Sequence, residues 1–244
     1  MVPLDGRKVL AEFLGTALLL IAVVGSGIAA GQLSPGDAGL RLLENALATA
    51  AALVAIIVAV GPVSGAHLNP AVTLAARLCG ALTTTEAAGY VIAQAAGGAV
   101  GAVIANTMFS RPVVELSTTT RGSGGLWLGE VVATFGLVVV ILAVVRSGRT
   151  SMAPLAVGAY IGGACFFTSS TSVANPAATV ARTLTDSYSG IAPASAPAFI
   201  VAQLVGAALA VVAGRALYPD IARAVRDVVL PHPASVDAAE PVVA

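Results

Sequence analysis

Apolar residues run along this chain in long blocks broken by short polar punctuation. Six blocks are about 20 residues long, the length of helix that crosses the hydrocarbon core of a bilayer. They lie near Val9–Ala30, Leu40–Val60, Glu86–Met108, Leu126–Val145, Met152–Ser170 and Pro197–Leu217. None alternates apolar and polar positions as a barrel strand does, and in lipid only helices or closed barrels satisfy their own backbone. The pattern therefore predicts six transmembrane helices. Two shorter apolar pieces, Pro70–Cys79 and Pro176–Leu184, have about half the length a span needs. They are expected to enter and leave on one side as re-entrant half-helices.

The pattern also repeats. Ala11-Glu12-Phe13-Leu14-Gly15-Thr16 matches Gly129-Glu130-Val131-Val132-Ala133-Thr134, Asn69-Pro70-Ala71 matches Asn175-Pro176-Ala177, and Val91–Gly97 matches Ile200–Gly206. The three matches keep one order and similar displacements along the chain, the mark of an internal repeat. Each half, about 7–108 and 125–218, holds three spans. An odd number of crossings forces the halves into opposite orientations, the inverted-repeat plan that puts broken helices at the midplane. Residues 1–218 then form one domain, and the proline-containing stretch 219–244 is expected to be a disordered tail.

Asparagine is a favoured helix N-cap, and proline at the first helical position gives up only an N–H that had no partner. Asn69-Pro70 and Asn175-Pro176 thus mark the starts of the two half-helices, which the inverted repeat brings together at the bilayer centre. Each helix start carries roughly half an elementary positive charge, so the junction repels cations. Each asparagine can cap its own helix through oxygen and leave its NH2 to a passing solute. The incoming segments, residues 61–68 and 171–174, are expected to be extended, with carbonyls laddered along a pore.

Composition narrows the function classes. With 57% hydrophobic and 10% charged residues, the chain cannot coat a soluble globule. Twelve basic and twelve acidic residues cancel, so no charge argument favours nucleic acid. Cys79 and Cys165 lack metal-ligand spacing, and His67 and His232 are the only histidines. No enzyme, metal or cofactor is implied. Arginine and lysine cluster on the side of the N-terminus (Arg7, Lys8, Arg77, Arg146, Arg149, Arg215, Arg223, Arg226), against Arg41, Arg111, Arg121 and Arg182 on the other. That bias predicts both termini in the cytoplasm.

The run Ser64-Gly65-Ala66-His67-Leu68-Asn69-Pro70-Ala71-Val72-Thr73, with the second Asn175-Pro176-Ala177 in place, resembles the aquaporin, or major intrinsic protein, family. The likeness covers about residues 7–218. It implies an all-α aquaporin-like bundle of six transmembrane helices and two half-helices, one pore per subunit and a homotetramer, here in a bacterial inner membrane. It also implies a selectivity filter, which counting from the two asparagines puts at Thr49, Gly163, Ser172 and Ala178. Most of the family has arginine at the last of these. All four residues here are small and uncharged, so the pore should be wider than a water filter. The pattern is similar to that of arsenic-resistance-associated aquaglyceroporins of bacteria. The expected solutes are water, glycerol and urea, with neutral arsenite as a further candidate beside a simple unselective polyol pore.

Arg182 stands four residues beyond Ala178, on the same helical face and about 6 Å further along the axis. It either returns a positive charge to the outer pore mouth or snorkels to the headgroups, and the second is the expected role. The family resemblance implies that Glu12 and Glu130 brace the backbone of the re-entrant loops, and His67 is read as a loop anchor. The alternative is a coupled secondary transporter that uses these two intramembrane carboxylates as ion ligands.

Overall fold

In the computed structural model residues 4–229 are described, and among them there is helix but no strand. The helices are α1 (Gly6–Leu33), α2 (Ala38–Ser64), α3 (Pro70–Leu78), α4 (Thr84–Met108), α5 (Gly124–Arg146), α6 (Ala153–Phe167), α7 (Pro176–Ala181), α8 (Ala196–Leu217) and α9 (Ile221–Val229). Six of them, α1, α2, α4, α5, α6 and α8, are long and apolar enough to cross a membrane, α6 and α8 counted with the short 3-10 turns that lead into them. α3 and α7 are the short pair. The face from which α1 starts is called the near face, and the opposite one the far face.

Local chemistry sets the helix ends. Asp5 and Asp37 accept from the backbone N–H groups of Arg7 and Leu40 at 2.9 and 2.8 Å, each cap contributing about 1 kcal/mol. α4 opens on a reciprocal capping box between Thr83 and Glu86, so it starts two residues before the expected Glu86. α2 runs on through Pro62 to Ser64 rather than ending at Val60. Proline's fixed φ fits the helix, and at the final turn only one backbone bond is lost. Gly65, at φ +84°, then closes the helix as glycine does, its N–H donating to the Gly61 carbonyl at 2.9 Å. The segment expected to be extended from residue 61 is therefore shortened to 65–68.

The halves pack by the same device. α1 lies against α4, and α5 against α8. A Cβ on Gly97 would sit 2.2 Å from the Phe13 carbonyl oxygen, and one on Gly206 2.5 Å from that of Val131. Lipid gives helices no hydrophobic reason to associate, so dispersion at close backbone approach has to do it. These two glycines, matched in the repeat, make that approach possible.

Part of the stretch expected to be a disordered tail is helix. α9 buries Ile221 and Val225 and packs on α5, and Asp220, just before it, makes a 2.6 Å exposed ion pair with Arg146 at the end of α5. The remainder, 230–244, lies outside the described residues.

Candidate functional site

The two Asn-Pro-Ala turns meet. Asn69 Oδ1 accepts from Ala71 N at 2.9 Å, while Asn175 Oδ1 accepts from Ala177 N and Ala178 N at 3.0 and 3.2 Å. Each side chain also reaches across to the other half. Asn69 Nδ2 donates to the Ala174 carbonyl at 2.7 Å, and Asn175 Nδ2 to the Leu68 carbonyl at 2.8 Å. The amides are thus less free than expected: one N–H of each ties the halves together, and one remains for a solute.

The loops before the turns are not extended. Ala66, Leu68, Thr171, Ser172 and Ala174 all have φ between +47° and +61°, a region that non-glycine residues rarely occupy. Such strain persists only where the surroundings impose it. Here two buried carboxylates do. Glu12 accepts from His67 N at 2.9 Å, Leu68 N at 2.7 Å, Ser64 Oγ at 2.6 Å and Gln94 Nε2 at 2.7 Å. Glu130 accepts from Val173 N at 2.9 Å, Ala174 N at 2.8 Å and Gln203 Nε2 at 2.5 Å. Both are fully buried and neither lines the central cavity. Their partners Gln94 and Gln203 also donate to Thr73 and Thr179 of the half-helices, at 3.0 and 2.9 Å. Those glutamines were visible in the sequence repeat, yet nothing there marked them as the carboxylates' partners.

A cavity of about 920 Å³ passes this junction. Lys8, Thr150, Ser151 and Val225 line it toward the near face, Asn69 and Asn175 at the middle, and Asn45, Thr49 and Arg182 toward the far face. Among the described residues its lining contains no Phe, Tyr or Trp, and no Asp or Glu. His67 both lines it and is anchored, its Nδ1 3.2 Å from Thr73 Oγ1 and its ring edge-on to Tyr90.

Of the filter positions counted from sequence, Thr49, Ser172 and Ala178 line the cavity and Gly163 does not. Gly163 faces outward and is exposed. The cavity face of α6 is instead Val157, Ile161 and Cys165, spaced one helical turn apart. A residue two places from Ile161 or Cys165 lies about 200° round the helix. The count from Asn175 to Gly163 passes through an irregular loop, where no helical period preserves the facing.

Arg182 departs from the expected snorkelling. It is 6% exposed, lines the cavity, and its Nε donates to the Ser189 carbonyl. The reason lies in the far-face loops. Residues 115–119 pair with the end of the second half-helix, Glu115 N and Ser117 N donating to the Leu184 and Thr183 carbonyls, and Asp186 accepts from Thr118 N. Arg121 Nε donates to the Gly190 carbonyl at 3.0 Å; burial pushes its pKa below the ordinary arginine value. These loops cover Arg182 and close its route to headgroups.

Six spanning helices, two half-helices meeting at their starts, and a cavity through the junction define a transmembrane channel of inverted halves. The family model of the major intrinsic proteins matches residues 3–177. Aquaglyceroporin AqpS of Rhizobium meliloti (strain 1021) is 49% identical over 204 residues, covering 84% of this chain and 87% of that protein. A probable aquaporin TIP-type alpha of Phaseolus vulgaris is 36% identical over 165 residues, 64% of each chain. Among solved structures, the aquaglyceroporin from Plasmodium falciparum shares the fold with a TM-score of 0.70, at 22% identity over 88% of this chain and 98% of that one. The chain belongs to the major intrinsic protein family. It is an integral membrane protein of the aquaporin and aquaglyceroporin class, whose members are channels for small neutral solutes rather than enzymes.

Proposed function

We propose that this channel passes water, glycerol-like polyols and urea, and also arsenite, a compact neutral trihydroxide. The observation that carries the reading is the lining: Thr49, Ser172 and Ala178 are small, α6 contributes Cys165, and among the described residues no Phe, Tyr or Trp lines the cavity. A methyl group at Ala178, in the place of a guanidinium, leaves room that a water-only filter lacks. The relation to an aquaglyceroporin supports the same direction. The assembly is a homotetramer in a bacterial inner membrane with both termini in the cytoplasm, in keeping with the bacterial relative and the arginine bias.

The coupled transporter has no such support. It would need Glu12 or Glu130 open to an ion, and both are saturated by loop and glutamine donors away from the cavity. Proteoliposome flux separates the readings: stopped-flow light scattering for water, glycerol and urea, and radiolabelled uptake for arsenite. Passage of water alone would sink the wide-pore reading, and saturating flux that follows a proton gradient would sink the channel. Ala178→Arg should depress glycerol flux more than water flux. An equal effect on both would put Ala178 outside the constriction.

A further inference from the structure

We propose that this pore keeps its cation barrier in an outer ring of Asn45 and Arg182, one helical turn beyond the position where Ala178 has left the filter uncharged. The inference rests on the channel reading above and adds a specificity-determining pair to it. α2 descends from the far face, so Asn45 lies about 6 Å nearer that face than Thr49; the second half-helix climbs toward it, so Arg182 stands as far beyond Ala178. All four residues line the cavity. Thr49 with Ala178, and Asn45 with Arg182, therefore form successive levels of one passage.

The outer level is built, not incidental. Asn45 Nδ2 donates to the Val23 carbonyl at 2.9 Å and to Ser26 Oγ at 2.8 Å. Because the Val23 carbonyl can only accept, the amide is oriented with Oδ1 on its other side, where no described residue donates to it. Ser189 Oγ donates to the same Val23 carbonyl at 2.9 Å, and the Ser189 carbonyl takes the Arg182 Nε–H. One short chain of bonds thus holds both side chains. Gly27 admits Ser189 to α1, since a Cβ there would lie 2.0 Å from its Oγ.

The pair has a definite chemistry. Among the described residues Arg182 has only its Nε bond, so both Nη groups are available to the cavity, and none of the described carboxylates lines that cavity to cancel its charge. A neutral polyhydroxylated solute finds guanidinium donors on one side and the Asn45 Oδ1 acceptor on the other. A cation meets a fixed positive charge on the wall of its path.

The test is the ratio of proton or sodium entry to glycerol flux in proteoliposomes under an imposed diffusion potential. Arg182→Gln should raise that ratio about tenfold or more, and Arg182→Lys, which keeps the charge, should hold it near the parent value. Asn45→Asp sets a carboxylate beside the guanidinium and should also raise it, which carries the test if Arg182→Gln does not assemble. The proposal is overturned if the glutamine and aspartate variants conduct glycerol with an unchanged ratio, or if the lysine variant leaks like the glutamine one. Absence of glycerol flux in the parent protein would instead remove the channel reading itself.

Discussion

The two halves of this channel are near copies at the junction and diverge one turn away from it. Gly65, Ala66 and Leu68 correspond to Thr171, Ser172 and Ala174, and all six have positive φ. Ser64 Oγ accepts from Ala66 N, and Ser170 Oγ from Ser172 N. Thr73 and Thr179 both receive a glutamine. Beyond the half-helix start the likeness fails: Val72 faces the pore where the second half has Ala178, and Ala76 where it has Arg182. The shared part is the scaffold that carries two strained loops to the midplane. The unshared part is what a solute meets on leaving that scaffold: the first half-helix presents Val72 and Ala76 to the passage, the second Ala178 and the charged Arg182.

The scaffold's two supports differ in strength. Glu12 takes four donors and Glu130 three, since Ser64 donates to Glu12 and Ser170 has no such bond. Orphaning a buried donor costs about 1–3 kcal/mol, so Glu12→Ala should lose about 3 kcal/mol or more and Glu130→Ala somewhat less. Thermal unfolding and gel filtration in detergent would show the order. A larger loss at Glu130 would break the comparison.

Smaller effects are expected at the helix contacts. Gly97→Ala and Gly206→Ala each push a methyl group toward a facing carbonyl, a crowding that costs about 1–3 kcal/mol. The closer approach at Gly97 makes that variant the worse of the two. Equal melting temperatures would mean that α5 and α8 yield no more easily than α1 and α4. Smallest is the strain at Thr171, a β-branched residue at φ +61° where the first half has glycine at φ +84°. Thr171→Gly should raise stability by about 1 kcal/mol; a loss would show that the threonine side chain, which lines the cavity, is held there by more than its backbone.

Much of this was legible in the residues themselves. Six apolar lengths, an odd number per half and two Asn-Pro starts determine an inverted bundle, because lipid leaves the backbone no other way to satisfy its hydrogen bonds. The pairing of Glu12 and Glu130 in the repeat likewise pointed to matched roles. What escaped the sequence was direction. Whether Gly163 or Cys165 faces the pore depends on how α6 is rotated against its neighbours, and a count through the irregular 168–175 segment does not transmit rotation. Whether Arg182 turns to lipid or to solute depends on loops 109–123 and 185–192, which cover it from segments distant along the chain. Asn45 carried no mark of its own, being one of several polar residues near the start of its span, and gained a role only where Val23 and Ser189 met it. Periodicity and capping are written in neighbours along the chain, so the sequence determined the helices and their order. The facing of a side chain is set by whatever packs against it, and only the tertiary structure could decide that.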